Sequence, residues 1–371
     1  DIPEGSLVMK LLEFDEDQKA GWIDIWNEYN HDILAQEGLE DFCLPENNKD
    51  IEKLSGQPLL LLMLAVYDAN FELKTNSLTK QAGQGDTFDR TTLYNELIRR
   101  FVRRELRKGP KGGEIAFDDL DSDEQEDMVD EEMKKLGIAA LGMFEREKLS
   151  LTVDELDHDL KYMEAKTVPY KQLNKKMLKN AEMLFGSFFF IHQSQVNDEE
   201  DTKDATFEFL HKTFYEFLVA DLVLFYLIDA VDNLYYHLNK QRGSRGKAHY
   251  RKDLENPDTF SKEYYAVLNG ACLYTEPEIL QMIAEWKDSK IAVCVQREGE
   301  GFKSELPRIM EDIFDRHTGM IREYTFSPAE SVWCSGGLAA DKADGSFPES
   351  CAVYLINLLI LRILICGSCT V

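Results

Sequence analysis

The sequence lacks the marks of a secreted, disulfide-stabilised or metal-binding protein. Its seven cysteines are odd in number and mostly far apart, which favours a reducing compartment such as the cytoplasm over a disulfide framework. The seven histidines do not have the spacing of metal ligands. Cys366 and Cys369 form a lone C-x-x-C, and we interpret both as small apolar residues rather than as a metal or redox site.

Catalytic motifs are lacking as well. The phosphate-binding pattern G-x-x-x-x-G-K-[ST] is absent. The nearest run, Gly243–Lys247, reads G-S-R-G-K, has the wrong spacing, and is followed by Ala248 where a magnesium-binding hydroxyl should stand. There is also no G-x-S-x-G and no H-E-x-x-H. The sequence therefore predicts no complete catalytic site and no metal site.

Long hydrophobic runs are scarce. The most apolar one, Cys351–Cys366, is shorter than the roughly 20 residues of a membrane span and contains Asn357 and Arg362. We expect a buried helix whose partners lie beyond the printed C-terminus, and no membrane anchor. At the other end, Asp1 is neither an initiator methionine nor the start of a signal peptide. Together, the two ends predict a fragment of a longer protein.

Apolar and acidic residues are abundant. Hydrophobic residues make up 44% and the formal net charge is -27, so the chain can bury a core and repels nucleic acid on average. One predicted helix, Thr91–Lys108, is rich in arginine and could bind a phosphate backbone. We favour pairing of these arginines with the acidic run Asp118–Glu132. The basic loop Lys240–Lys252 is interpreted as solvated.

Helical patterns dominate the chain. Capping boxes predict helix starts at three residue pairs: Asp15 with Gln18, Ser122 with Gln125, and Thr152 with Glu155. After the first start, Trp22, Trp26 and Tyr29 fall on one face. Residues 70–89 are predicted to form a loop, and further helices are predicted over residues 213–232, 262–273, 276–286 and 352–366. Two apolar runs that end in aspartate, residues 59–68 and 222–229, resemble a Walker B strand but fit buried helices better.

A change of period predicts a β-hairpin. The aromatic run Phe188–Ile191 and the alternating run Thr206–Leu210 flank a polar loop, Asn197–Asp204. Helices before and after this hairpin indicate a winged-helix unit. The helix that follows, from Thr213, is apolar nearly all round and should be buried.

Four segments in order resemble one family. They read L-L-E-F-D-E-D-Q-K-A-G-W-I-D-I-W-N from Leu11, L-S-G-Q-P-L-L-L-L-M-L-A from Leu54, R-T-T-L-Y-N-E-L-I-R-R-F from Arg90, and F-E-F-L-H-K-T-F-Y-E-F-L-V-A from Phe207. This order is similar to the second half of a NACHT module, the nucleotide switch of STAND-class signalling ATPases in bacterial defence and animal innate immunity. The resemblance covers roughly residues 7–233, and the fourth segment is the most specific.

The resemblance implies a mainly α architecture. It implies the end of an ATPase core in residues 1–14, a first helical subdomain in residues 15–110, and a winged-helix subdomain with a small β-hairpin in residues 111–232. Residues 233–371 would be a second helical subdomain and the start of a sensor region; the short helix pairs there also suit a helical array. The P-loop, the Mg²⁺ aspartate and the sensor arginine of the family would precede Asp1.

Two positions match nucleotide contacts of the family. Pro58 matches a proline that packs on the adenine, and from its own context it is a proline in the first turn of a helix; both can hold at once. His211 matches a histidine that reaches the ADP phosphates in the resting state. An imidazole can donate a hydrogen bond to phosphate. The periodicity alone favours a satisfied core histidine, and it is the resemblance that favours the phosphate contact.

The implied function is the regulatory half of an ADP/ATP-dependent switch in cytoplasmic defence signalling. ADP or ATP with Mg²⁺ is expected in the full-length protein, and neither tight ATP binding nor hydrolysis is expected for this chain alone. The implied partners are an N-terminal ATPase core, further copies of the protein on activation, and a trigger at the C-terminal helices. The alternatives are a helical interaction scaffold without nucleotide control and, less favoured because of the net charge, a nucleic-acid-binding winged helix.

Overall fold

A computed structural model describes residues 12–45, 48–71, 74–78, 89–107, 116–163, 191–197, 203–209, 211–239, 262–324 and 347–367. The chain divides into two compact units, residues 1–100 and 101–371, each described here by itself. Both consist mainly of α-helices, and β-structure in the described ranges is limited to two small antiparallel sheets. The predicted mainly α fold with a small β-hairpin is confirmed.

The first unit begins with three helices and a short hairpin. These are α1 (Glu16–Gln36), α2 (Lys49–Ser55), α3 (Pro58–Asp68), β1 (Ala69–Asn70) and β2 (Thr75–Asn76), followed by the start of α4 (Arg90–Arg107). The Asp15 capping box is present, because Asp15 accepts from the Gln18 backbone and Gln18 accepts from that of Asp15. Residues 59–68 are helical, so the Walker B alternative for them is excluded.

The predicted loop after α3 contains the β1–β2 hairpin, which pattern reading missed because each strand has only 2 residues. A buried carboxylate organises this turn. Asp68 accepts from Asn76 Nδ2 over 2.7 Å and from the Leu78 backbone N–H over 2.9 Å. Burial raises the pKa of Asp68 above its usual value. Residues 79–88 of the predicted loop lie outside the described ranges.

The second unit contains seven α-helices and a three-stranded sheet among its described residues. In chain order they are α5 (Ser122–Glu145), β3 (Ser150–Thr152), α6 (Val153–Tyr162), β4 (Ile191–Asn197), β5 (Lys203–Phe209), α7 (Lys212–Asn239), α8 (Lys262–Asn269), α9 (Pro277–Glu298), α10 (Gly301–Tyr324) and α11 (Phe347–Cys366). The capping box of Thr152 with Glu155 is confirmed. The Ser122 box was predicted one residue late, because Asp121 is the cap and pairs with Glu124.

The hairpin prediction is confirmed, because β4 and β5 pair antiparallel from Ile191↔Phe209 to Asn197↔Lys203. The first strand lies later than predicted, and residues 188–190 are outside the described ranges. The strand β3 was not predicted, since its 3 residues are too few to show an alternating pattern. It pairs with β5 and gives the sheet order β3-β5-β4. The described residues of this part thus form a helix, a strand, a helix and a hairpin in chain order, and residues 164–190 lie outside the described ranges. The winged-helix subdomain stays a prediction.

The long helix α7 is the centre of the second unit. It contacts α5, α8, α9 and α10, and its side chains are buried almost without interruption from Phe214 to Leu224. The predicted burial of this helix is therefore confirmed, and the Walker B alternative for residues 222–229 is excluded. Close packing explains one glycine: a Cβ on Gly137 of α5 would lie only 3.0 Å from the Leu222 Cβ of α7.

The C-terminal helices depart from their predicted bounds. Helix α8 ends at Asn269 rather than Leu273, and α9 continues past Trp286 to Glu298. Helix α10 was not predicted, because Pro307 interrupts a sequence that otherwise buries Phe302, Leu306, Ile309, Met310 and Ile313 at helical spacing.

Helix α11 is the one helix of the described ranges that is long and apolar enough to cross a membrane, over Glu349–Cys366 with a mean hydropathy of 1.9. One such helix is weak evidence for a membrane span, because core helices of other proteins can be equally long and apolar. Its buried face packs on α8 and α10, so part of its packing partners lies within the chain. The other face is exposed at Ile356, Leu359 and Ile363, so the predicted burial of the helix holds only in part. Asn357 on the buried face binds three backbone groups: it accepts from Leu273 N–H and donates to the carbonyls of Leu268 and Ala271.

Candidate functional site

His211 stands at a corner between the sheet and the central helix. It follows β5 and immediately precedes the 28-residue helix α7. Its side chain is exposed, so the alternative of a satisfied core histidine is wrong. The aromatic residues around it, Phe207 before and Phe214 after, are buried and hold both flanking elements in place.

The hydrogen bonds of His211 determine its tautomer. The Thr213 backbone N–H donates to His211 Nδ1 over 3.3 Å, and the Thr213 hydroxyl lies 2.8 Å from the same nitrogen. A ring nitrogen that accepts a hydrogen bond from a backbone N–H cannot be protonated itself. The neutral His211 ring therefore carries its proton on Nε2. Nε2 is thus the donor that this ring offers.

The charge state of His211 follows from its surroundings. Neighbouring groups partly desolvate the ring and lower its pKa below the usual value, so the ring is neutral at pH 7. The adjacent Lys212 does not act as a free cation, because its Nζ lies 2.7 Å from Glu276 Oε2 and 3.3 Å from Glu216 Oε1. An anion at this corner would be met by one neutral N–H donor and by the positive end of α7.

Pro58 lies in the other unit and stands at the first turn of α3, as predicted. Its side chain is exposed, while Leu60 and Leu61 behind it are buried. The preceding chain is held by a backbone hydrogen bond of 2.7 Å from Phe14 N–H to the Gly56 carbonyl. The ring therefore offers an apolar surface on a fixed support, which suits packing against a flat heterocycle.

The remaining sequence candidates do not build a site. Among the described residues, no group of three or more His, Cys, Asp or Glu could hold a metal ion. The cysteines that the structure describes are free thiols, and Cys369 lies outside the described ranges, as do residues 240–252. The residues present thus fit one phosphate contact and one apolar contact, and within each unit they do not form a nucleotide pocket in the described ranges.

Two arginines of α4 pair with the acidic run, as favoured from the sequence, whereas Arg104 pairs with Glu105 of its own helix. Arg103 Nη2 lies 2.6 Å from Glu126 Oε1, and Arg107 Nε lies 2.8 Å from Asp118 Oδ1. Each of these cations is therefore partly neutralised by a carboxylate of its own unit.

A small cavity lies in the second unit between α7, α8, α10 and α11. It measures about 20 Å³, which is room for one water molecule, and its lining is apolar except for His317 and the hydroxyls of Tyr226 and Tyr354. The Tyr354 hydroxyl lies 2.7 Å from His317 Nδ1, and burial lowers the pKa of His317 to about 3. His211 is not part of this lining.

Comparison with known proteins does not decide the family. No family model, no curated protein and no solved structure matches this chain. The resemblance to a NACHT module therefore stays a hypothesis that rests on the four sequence segments.

Several polar contacts within the second unit were not predicted from the sequence. The buried pair Arg146–Asp159, the Asn357 clamp and the His317–Tyr354 contact each join residues that are at least 13 positions apart. No local pattern signals such pairs. The aromatic face of α1 was recognised, but the sequence did not indicate that this face points to solvent.

Proposed function

We propose that this chain is the regulatory half of an ADP/ATP-dependent signalling switch of NACHT/STAND type. The observation that supports this best is the geometry of His211, an exposed imidazole whose only free donor, Nε2–H, stands at the positive end of a long buried helix. This position suits a contact to a phosphate held by an ATPase core.

The proposed resting state is held by that contact. With ADP bound to the core, His211 donates from Nε2 to a phosphate oxygen and ties the winged-helix unit to the core. Pro58 packs against the adenine. Exchange to ATP, driven by a trigger at the C-terminal helices, breaks the tie and permits oligomerisation. The nucleotide biases the two states only by its differential affinity for them.

Transmission to the C-terminal helices has a structural basis in the ion pairs of α7 and α9. Asp221 of α7 accepts from the Trp286 indole N–H over 2.8 Å and lies 2.7 Å from Lys290 Nζ. Next to His211, Lys212 binds Glu276 at the start of α9. A displacement of α9 would therefore disturb the Lys212 ion pair next to His211. The setting proposed for this switch is cytoplasmic defence signalling.

A helical interaction scaffold without nucleotide control is the second candidate. The exposed apolar side chains on α1 and α11 favour it. A nucleic-acid-binding winged helix is less favoured, because the net charge is -27 and two of the α4 arginines are paired with carboxylates.

Calorimetric titration with ADP separates these functions. We expect no tight binding to this chain, and binding to the longer polypeptide that carries a P-loop core. There, His211→Ala should weaken ADP retention by about tenfold or more, the value of one charge-assisted hydrogen bond. His31→Ala is the matched control, since His31 is also exposed.

Thr213→Val tests the tautomer. It removes the hydroxyl near Nδ1 but keeps the backbone donor, so ADP retention should fall less than in His211→Ala. Unchanged ADP retention in His211→Ala would remove the role given to His211. Absence of ADP binding in both polypeptides would favour the scaffold.

A further inference from the structure

Helix α1 carries an apolar stripe that faces solvent. Ile25, Tyr29 and Ile33 are exposed by 57%, 82% and 54%, although side chains of this kind are usually buried. They follow one another at a spacing of four residues and therefore lie on one face of the helix. Trp22 and Trp26 border them as a stacked pair, with ring centroids 5.6 Å apart and planes inclined by 12°.

Two features orient α1 with the stripe towards solvent. On the buried side, Leu34 is 2% exposed. The Asn27 side chain donates to the Phe42 carbonyl and accepts from the Phe42 N–H, both over 2.9 Å. These two hydrogen bonds fix the rotation of α1 about its axis. The stripe cannot turn inward without breaking them.

A row of carboxylates runs beside the stripe. Asp24, Glu28 and Asp32 are exposed, and each precedes one of the three stripe residues. Within the described part of the chain, none of the three forms a salt bridge, and the one lysine of α1, Lys19, binds Glu16 instead. The face thus combines a stripe about 16 Å long, from Trp22 to Ile33, with a row of carboxylates along one edge, of which Asp32 interacts electrostatically with His31.

We propose that this face of α1 docks a basic amphipathic helix of a protein partner. An apolar stripe with i, i+3, i+4 and i+7 anchors matches the apolar face of such a helix. The carboxylate row selects lysine or arginine at the edge, and the stacked indoles offer cation–π contacts. An antiparallel second copy of α1 fits less well, because the two carboxylate rows would then lie along the same edge. This proposal does not depend on nucleotide binding.

Fluorescence anisotropy of the whole chain with a labelled peptide tests the proposal. The probe is an 18-residue peptide of leucine and lysine with leucines at i, i+3, i+4 and i+7, used at physiological ionic strength. A Leu/Glu peptide of the same pattern and a scrambled Leu/Lys peptide are the peptide controls. We expect binding of the patterned Leu/Lys peptide, and binding at least tenfold weaker for each control peptide.

Two sets of variants separate the stripe from the charge. Replacing Ile25, Tyr29 and Ile33 by serine should weaken binding at least tenfold, and Tyr29→Ser alone should weaken it measurably. Replacing Asp24, Glu28 and Asp32 by lysine should weaken the Leu/Lys peptide at least tenfold and strengthen the Leu/Glu peptide. The matched control places lysine at Asp119, Asp288 and Asp315, three exposed aspartates elsewhere, with the same change in net charge. Far-UV circular dichroism checks that every variant is folded.

Three results would overturn the proposal. An equal loss of binding in the scattered lysine control would assign the interaction to net charge alone. Equal binding of the scrambled peptide, or no effect of the serine variants, would remove the stripe from the interaction. A concentration-dependent dimer in sedimentation velocity that the serine variants abolish would assign the face to a second copy of the chain.

Discussion

Arg146 and Asp159 form a two-point ion pair inside the second unit. Arg146 Nη1 donates to Asp159 Oδ2 over 2.7 Å and Nη2 donates to Oδ1 over 2.8 Å, while both side chains are buried. The pair joins the end of α5 to α6 across the strand β3 and so closes the first corner of the predicted winged helix. Its removal should affect the whole unit.

The first prediction concerns this pair. Asp159→Ala removes both short hydrogen bonds between the buried guanidinium and Asp159 and leaves the more distant Glu155, at 3.8 Å, as its carboxylate partner, so it should lower the free energy of unfolding by about 3–5 kcal/mol in urea titrations. Asp157→Ala, at an exposed aspartate of the same helix, should change it by less than about 0.5 kcal/mol. The double variant Arg146→Met with Asp159→Leu should cost less than Asp159→Ala. If the two single variants were equally stable, the pair would have no structural role.

Gly142 supplies the second prediction, because a Cβ there would collide with the Asp159 carboxylate and contact the Arg146 guanidinium. Gly142→Ala should therefore destabilise the protein by about 1–3 kcal/mol, despite the better helix propensity of alanine. Gly319→Ala in α10 is the control, since a Cβ there meets nothing within 4 Å. It should stabilise the protein by up to about 1 kcal/mol. The unfolding temperatures of both variants, compared with that of the wild type, test this prediction. A higher unfolding temperature for Gly142→Ala would contradict the close packing of Gly142 against Asp159.

The third prediction concerns the Asn357 clamp. Asn357 is fully buried, and Asn357→Leu leaves the Leu268 carbonyl of α8 and two backbone groups of the α8–α9 connection without their partner. A loss of about 2–4 kcal/mol is expected from the cost of unsatisfied buried groups. Leu359→Ala, on the exposed side of α11, should change stability by less than about 1 kcal/mol. Faster amide exchange of Leu273 in Asn357→Leu would locate the effect, and unchanged exchange would contradict it.

The fourth prediction concerns acid stability. His317 has a folded-state pKa of about 3 against a usual value of 6.5, because burial disfavours the charged ring. The unfolded chain therefore binds a proton below pH 6.5 that the folded chain does not, so the contribution of His317 to stability is complete above pH 6.5 and falls as the pH decreases. The limit is about 1.4 kcal/mol per pH unit between pH 6.5 and pH 3.

His317→Asn should flatten this dependence, measured as the free energy of unfolding from pH 7 to pH 5. His31→Asn should not flatten this pH dependence. A hydrogen bond to Asp41 raises the pKa of His31, so protonation of His31 favours the folded state, opposite to the effect of His317. Parallel pH profiles for wild type and His317→Asn would show that His317 takes up a proton equally in both states.

The sequence by itself determined most helices of this protein, together with the lack of a P-loop in the chain. Capping boxes such as Asp15 with Gln18, and apolar residues at helical spacing, act within one or two turns, so these elements follow from neighbouring residues. The strand β3 and the helix α10 were missed because a strand of 3 residues is too short for a pattern and Pro307 interrupts the other.

Only the tertiary structure decided which faces and which atoms are available. The outward position of the apolar stripe on α1 depends on the hydrogen bonds between Asn27 and Phe42, 15 residues away. The free Nε2 of His211 depends on the fold of the chain around Thr213, and the pairing of Arg146 depends on the return of α6. No repeating sequence pattern relates the residues in these contacts, because burial and hydrogen bonding depend on distance in space and not on separation along the chain.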